Sequence, residues 1–169
     1  MIAIYGERLD VESVPTGASI TVDQPQRTDT TPFYQVYRVL SQAHLSAPAQ
    51  YDGKNFSWWW GTKTLNPKFA ILSTETDVAI DMDWHAIARA LYGVGGLKVV
   101  LRPSSVRQTA RWRVDGGSWM KTKTLIPTLT PGDHTVEFKD VDGWKRPKNK
   151  VVTVDEGQVL LIGGKYRSN

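Results

Sequence analysis

Apolar and polar residues alternate in short segments along most of the chain. Residues 18–22 have the order Ala-Ser-Ile-Thr-Val, and this period of two is typical of a half-buried β-strand. Strand-like segments recur at 33–37, 43–47, 55–60, 78–82, 97–101, 110–114, 135–138, 151–154 and 159–162. Gly, Asp and Pro mark turns between them, as at 51–54, 115–118, 131–133 and 155–157. Short strands separated by turn residues predict an all-β fold of the sandwich or barrel type.

Residues 84–91 carry a different pattern. Trp84, Ile87, Ala88 and Leu91 are spaced as on one face of a helix, and Asp83 precedes them as a candidate N-cap. The pattern alone favours a short helix and a strand equally.

A glycine-rich segment suggests that the chain has two domains. Three of the four residues 93–96 are glycine, which is typical of a linker between patterned regions. We expect an N-terminal domain over residues 1–93, a linker over 94–96 and a C-terminal domain over 97–169. Domains this small have a high ratio of surface to volume and gain most from burying large side chains. The seven tryptophans are therefore expected mainly in their cores.

The two halves resemble each other weakly. Residues 18–23 align with 110–115, and residues 80–82 before Tyr92 align with 154–156 before Tyr166. The matches fall in the same order in both halves, which indicates a diverged duplication of one module.

The second half also resembles a known family. Residues 112–119 (Trp-Arg-Val-Asp-Gly-Gly-Ser-Trp), 129–139, 141–147 and 151–154, with Tyr166 at the end, resemble the PEGA-like β-sandwich repeats of large bacterial surface proteins. Residues 11–93 more loosely resemble related repeats through 17–22, 31–33, 45–48, 55–59 and 90–93. The resemblance implies two tandem immunoglobulin-like sandwiches that serve as stalks, spacers or adhesive modules without catalytic residues. It also favours a strand over residues 84–91.

Composition excludes several classes of site. The absence of cysteine rules out disulfides, thiolate nucleophiles and cysteine-ligated metals. The sequence begins without the basic and apolar regions of a signal peptide, and no stretch approaches the ~20 apolar residues of a membrane span. Residues 1–96 have seven Lys or Arg and ten Asp or Glu, a net charge of −3. Residues 97–169 have fourteen and seven, a net charge of +7, which predicts an acidic or anionic neighbour for this half.

Three consecutive tryptophans form the first candidate binding feature. If Trp59 faces the core, Trp58 and Trp60 project from the opposite face of the strand as an aromatic pair. Such a pair could contact a protein partner or stack on a sugar ring, or it could be covered by other parts of the chain.

A basic and aromatic patch is the second candidate. Trp144, Lys145, Arg146 and Lys148 lie close together in the sequence, followed by Lys150. The patch could bind an acidic surface, or it could be a solvated loop whose lysines discourage edge-to-edge aggregation. We do not expect nucleic acid to be its partner.

Acidic and imidazole side chains offer little evidence of chemistry. Asp77, Asp81, Asp83 and His85 contain metal-ligand atoms but lack the glycine-bearing spacing of a cation loop. The three histidines are scattered and no phosphate-binding glycine loop is present. The sequence therefore predicts no catalytic, cofactor or metal site.

These features predict a non-enzymatic structural or binding protein whose partners are other subunits of an assembly. The main hypothesis is a component of a phage-type virion: a decoration, tail or fibre-associated protein. The alternatives are a segment of an exported bacterial adhesin or surface stalk, and a carbohydrate-binding module that contacts a cell-surface glycan. The expected location is accordingly the virion surface or the cell exterior.

Overall fold

The computed structural model describes residues 6–62 and 69–169, which form two compact units, Met1–Gly93 and Val94–Asn169. Most of the described residues are in β-strands, and the one helical element among them is a short 3₁₀ helix at Ser104–Val106. No helix in the described ranges is long and apolar enough to cross a membrane. The predicted all-β class is confirmed.

The first unit is a sandwich of two sheets. Its described strands are β1 (Gly6–Val14), β2 (Ser19–Asp23), β3 (Gln26–Thr30), β4 (Phe33–Arg38), β5 (Ser41–Ser46), β6 (Gln50–Tyr51), β7 (Lys54–Thr62), β8 (Phe69–Ser73), β9 (Asp77–Met82) and β10 (Ala86–Tyr92). One sheet has the order β4-β1-β10-β7-β6 with β8 also paired to β7, and the facing sheet has the order β3-β2-β5-β9. Their inward side chains form one core, which includes Leu9 and Trp59 from the first sheet and Ile20, Leu45 and Ile80 from the second.

The second unit is a smaller sandwich of the same kind. Its described strands are β11 (Gly95–Arg102), β12 (Trp112–Val114), β13 (Leu125–Leu129), β14 (Gly132–Phe138), β15 (Trp144–Lys145), β16 (Lys150–Val154), β17 (Val159–Lys165) and β18 (Arg167–Ser168). The sheets have the orders β13-β11-β17 and β12-β14-β16, and β15 pairs with β18. Leu97, Val99 and Trp112 are fully buried in the core between them.

The two units share a topology that matches the weak internal repeat. In each unit the first strand pairs antiparallel with a middle strand and parallel with a late one: β1 with β4 and β10, and β11 with β13 and β17. The facing sheets contain β2-β5-β9 and β12-β14-β16. The alignment of residues 18–23 with 110–115 therefore matches β2 to β12, and these strands have equivalent places in the two sandwiches.

Residues 86–92 form a strand, so the helical alternative for 84–91 is wrong. Strand β10 lies between β1 and β7, which satisfy its backbone groups on both sides. Ala86, Ala88 and Ala90 are buried on its core face. Trp84, which began the helical pattern, lies before the strand and is 57% exposed.

The expected linker over residues 94–96 is also corrected. Gly95 and Gly96 are the first two residues of β11 and both are buried. A Cβ atom at Gly95 would lie 2.3 Å from Val154 Cγ1 and 2.4 Å from the Asp155 carbonyl oxygen. Glycine occurs here because another segment approaches closely, and close approach is a second reason for glycine besides flexibility.

Candidate functional site

The tryptophan triplet lies in the central part of β7. Trp59 is fully buried in the core of the first unit, as expected, and its indole nitrogen donates a hydrogen bond to the Thr76 carbonyl oxygen at 2.9 Å. Phe56 packs beside it with a ring-centroid distance of 6.0 Å. This side chain is part of the core and is not available to a ligand.

The expected outward pair of Trp58 and Trp60 does not form an exposed platform. Trp58 is 0% exposed, because the sheet face opposite the core is itself covered at this point: its cross-strand neighbour Leu91 is also buried. Trp60 is half-buried and stacks on Phe69, with ring centroids 6.1 Å apart. Trp58 is therefore not accessible to a binding partner.

The basic patch of the second unit lies on the surface. Lys145, Arg146 and Lys148 are exposed, while Trp144 is half-buried and packs against the core. Arg146 is fixed by an ion pair from its Nε to Asp140 Oδ1 at 2.8 Å and by a hydrogen bond from Nη1 to Asn149 Oδ1 at 3.1 Å.

The patch continues into residues that are distant in the sequence. Two adjoining hollows of about 330 and 550 Å³ share Asp140, Arg146 and Asn149. Trp119 lines the smaller hollow, and the Arg113 guanidinium lies 4.5 Å from the centre of its ring. No sequence signal placed Trp119 at this patch, because its position depends on the isolated bridge between the next residue, Met120, and Trp112 on β12.

Cross-strand pairing fixes the Arg113 guanidinium. Arg113 on β12 lies opposite Glu137 on β14 and donates to both carboxylate oxygens, at 3.1 and 2.8 Å. This ion pair lowers the pKa of Glu137, mainly through the hydrogen bonds from Arg113. In the sequence, the alternation of apolar and polar residues along β12 and β14 was the feature that could have indicated that Arg113 and Glu137 face away from the core.

An acidic surface lies on the first unit. Strand β9 is the last strand of its sheet, and its outward residues Asp77, Ala79 and Asp81 are all exposed. A hollow of about 450 Å³ on this sheet is lined in part by His44 and Asp77. We call β9 with Asp77, Ala79 and Asp81 the acidic edge.

The structure does not bring the candidate metal ligands of this region together. Asp81 accepts a hydrogen bond from Gln42 Nε2 at 2.9 Å. His85 instead lies 2.6 Å from Asp10, measured from Nε2 to Oδ2. The described residues contain no cluster of three or more carboxylate or imidazole groups suited to a metal ion.

A buried histidine forms another ionisable pair in the second unit. His134 Nδ1 lies 2.6 Å from Asp115 Oδ2, and its Nε2 lies 2.8 Å from the Thr130 carbonyl oxygen. Both neighbours are acceptors, and only the protonated ring can donate from both nitrogens. The Asp115 and Thr130 hydrogen bonds therefore raise the pKa of His134 above its ordinary value of 6.5. The His134 contact and the Thr135 N–H lower the pKa of Asp115.

The pair is expected to make the stability of the second unit depend on pH. Because the folded pKa of His134 is raised, its contribution is complete below about pH 6.5 and is lost as pH rises through the folded value. The contribution of Asp115 is present above about pH 3.9 and is lost as pH falls through its lowered pKa. Thermal unfolding of His134→Gln should therefore differ most from wild type near pH 5 to 6 and less at about pH 8.

The exposed His44 in the first unit provides the matched control for this measurement. His44→Gln should leave the pH profile of the second unit unchanged, and an NMR titration of the ring should place the pKa of His134 above its ordinary value. A difference between His134→Gln and wild type that stayed constant from pH 5 to 8 would contradict the assignment.

Comparisons with known proteins identify no family for this chain. No family model matches the sequence, and no curated protein matches it. Among solved structures, the minor pilin GBS52 of Streptococcus agalactiae has a TM-score of 0.34 at 8% identity, over 96% of both chains. The shaft pilin SpaA of Lactobacillus rhamnosus GG has a TM-score of 0.32 at 8% identity, over 98% of both chains. The Bacillus anthracis TIE protein has a TM-score of 0.32 at 10% identity, over 95% of this chain and 34% of that one. Likenesses this low carry no argument about function.

Proposed function

We propose that the chain is a non-enzymatic structural subunit that acts by binding other protein subunits of an assembly. Each unit uses its large aromatic side chains to close a core, as Trp59 and Trp112 illustrate. The surfaces left for contact are the outer faces and unpaired edges of the sheets. Such edges commonly pair with other chains unless they are blunted or covered.

One exposed leucine carries the proposal. Leu40 lies in the turn between β4 and β5, is 84% exposed and has a φ of 64°. A branched side chain in this left-handed conformation costs about 1–2 kcal/mol, and asparagine or glycine would avoid most of that cost. Folding alone therefore does not explain a leucine here, whereas an apolar contact with a partner does.

Other exposed apolar side chains extend this surface. Tyr34 and Val36 on the neighbouring edge strand β4 are 56% and 52% exposed, and Val39 in the same turn is 39% exposed. A grouped set of exposed apolar residues is typical of a protein interaction site. The native assembly could be a phage-type particle or a bacterial surface stalk, and fractionation of the native source distinguishes them.

The proposal predicts that Leu40→Asn separates binding from folding. We expect the variant to be as stable as wild type or about 1 kcal/mol more stable, because asparagine tolerates the left-handed conformation better. In the native source, tagged wild type should sediment with phage particles or with the cell-wall fraction, and Leu40→Asn should be depleted from that fraction. Sedimentation and immunoblotting measure this.

A second exposed leucine serves as the control. Leu161 on β17 is 63% exposed, and its residue has no positive φ. Leu161→Asn should remain with the assembly. Recovery of wild type only as a free protein in both fractionations would contradict the proposed function.

A further inference from the structure

The two units carry opposite charge and expose equivalent sheet edges. The unit Met1–Gly93 has a net charge of −3 and the unit Val94–Asn169 one of +7, because residues 94–96 are uncharged. Strand β9 ends the sheet β3-β2-β5-β9, and β16 ends the sheet β12-β14-β16. Within the described residues, the outer backbone edge of each of these strands has no neighbouring strand.

The charges at the two edges are also opposite. The acidic edge presents Asp77 and Asp81 on either side of Ala79. Strand β16 begins at the exposed Lys150, with the exposed Lys148 just before it and Val151, 69% exposed, just after it. We call β16 with Lys148, Lys150 and Val151 the basic edge.

The charged groups of both edges are available for an intermolecular contact. Among the ion pairs between described residues, none involves Asp77, Asp81, Lys148 or Lys150. The Lys150 ammonium donates to the Gly163 carbonyl oxygen at 2.7 Å, a contact that leaves its charge uncompensated. The acidic edge thus presents two carboxylates on the same face as Ala79, and the basic edge presents two ammonium groups, with Val151 on the opposite face of β16 from Lys150.

We propose that the acidic edge of one copy of this chain binds the basic edge of a second copy, so that copies assemble head to tail. This inference rests on the proposed function and names the partner. Sheet-edge pairing supplies backbone hydrogen bonds, while side chains on the paired strands decide which edges match. Leu40 lies next to the end of this edge, because its N–H donates to the carbonyl oxygen of Met82, the last residue of β9, at 2.8 Å.

Charge also determines the polarity of this assembly. Pairing of two acidic edges, or of two basic edges, would place like charges opposite each other, which is destabilising. Only the contact between unlike edges brings attractive charges together. A contact between two different surfaces leaves one of each free at the ends, so it propagates into a ring or an open filament.

Self-association of the purified full chain tests the inference directly. Sedimentation-velocity analysis of wild type should show concentration-dependent oligomers that dissociate as salt concentration rises. Asp77→Asn/Asp81→Asn and Lys148→Gln/Lys150→Gln should each raise the dissociation constant about tenfold, the effect of losing two close charge pairs. Circular dichroism should show that the variants remain folded.

Two matched variants control for net charge. Asp29→Asn/Asp52→Asn removes two acidic charges of the first unit that lie outside the acidic edge, and Lys121→Gln/Lys165→Gln removes two exposed basic charges of the second unit that lie outside the basic edge. Both should associate like wild type. If they weaken association as much as the edge variants do, the effect is one of overall charge and the assigned edges are wrong.

Charge reversal gives the sharpest outcome. Asp77→Lys/Asp81→Lys and Lys148→Glu/Lys150→Glu should each be monomeric alone, and an equimolar mixture should associate because unlike edges are available again. A monomeric wild type, or a mixture that stays monomeric, overturns the inference.

If wild type is monomeric yet sediments with native particles or cell walls, the proposed function survives and the second-copy partner does not. If only the lysine variants lose a native partner, the basic edge binds some other anion and the inference is likewise overturned.

Discussion

Trp59→Ala is expected to lower the unfolding free energy of the first unit by about 3–5 kcal/mol. The side chain is fully buried between the two sheets, so truncation would remove its packing against Phe56 and leave a cavity. The indole hydrogen bond to the Thr76 carbonyl would also be lost. Small domains are stable by only about 5–15 kcal/mol, so the loss is a large share of the total.

The neighbouring tryptophans provide the controls for this variant. Trp58→Ala should cost about as much as Trp59→Ala, because Trp58 is equally buried although it faces away from the core cluster. Trp60→Ala should cost less, because its ring is only half-buried. Scanning calorimetry should show a lower transition temperature for the first unit, while the transition of the unit that contains Trp112 is retained. A cost for Trp58→Ala as small as that of a surface substitution would contradict its burial.

Many strands and turns of this protein were predictable because their signals are local, although β1, β3, β8 and β13 were not predicted. Residues 51–54 were predicted as a turn, and Asp52 and Gly53 adopt φ values of 51° and 69° between the paired residues Tyr51 and Lys54. Two consecutive residues with positive φ form the hairpin turn for which Asp-Gly is strongly preferred. Alternation likewise located β2, β5, β9 and β14, since each has one face on a core and one in solvent.

Strand β10 was ambiguous because both of its faces are partly or fully buried. Ala86, Ala88 and Ala90 face the core, while Leu91 is buried on the other face. A strand buried on two sides loses the alternation of apolar and polar residues, and apolar residues on both faces can then match a helical period by chance. The residue pattern did not resolve the choice, the family resemblance favoured a strand, and the pairing of β10 with β1 and β7 shows that it is one.

The candidate binding residues show the same division between local and long-range information. Lys145, Arg146 and Lys148 were predictable as exposed because they follow one another in a turn-rich segment. The alternation along β7 correctly placed Trp58 and Trp59 on opposite faces, but it could not tell what covers the outer face. Exposure depends on segments that are distant in the sequence, and a single sequence carries no direct record of them.

Gly61→Ala is expected to destabilise the first unit by about 3 kcal/mol, the upper end of the usual cost of overpacking. Gly61 on β7 pairs with Ala88 on β10, and a Cβ atom on it would lie 1.9 Å from the Ile87 carbonyl oxygen. A backbone oxygen cannot rotate away as a side chain can, so the two central strands would have to separate. Urea denaturation of the full chain should show an earlier midpoint for the first unit.

A strand glycine with free space around it is the matched control. A methyl group added at Gly163 on β17 would have the Val100 carbonyl oxygen as its nearest neighbour, 4.0 Å away. Gly163→Ala should therefore be neutral or stabilising by about 0.4–1 kcal/mol, because alanine restricts the unfolded chain more than glycine does. Equal effects of the two substitutions would mean that β7 and β10 are farther apart than the structure places them. A large effect confined to Gly61→Ala would instead establish that the close approach of these strands, with Trp58 and Trp59 just before it, holds the first sandwich together.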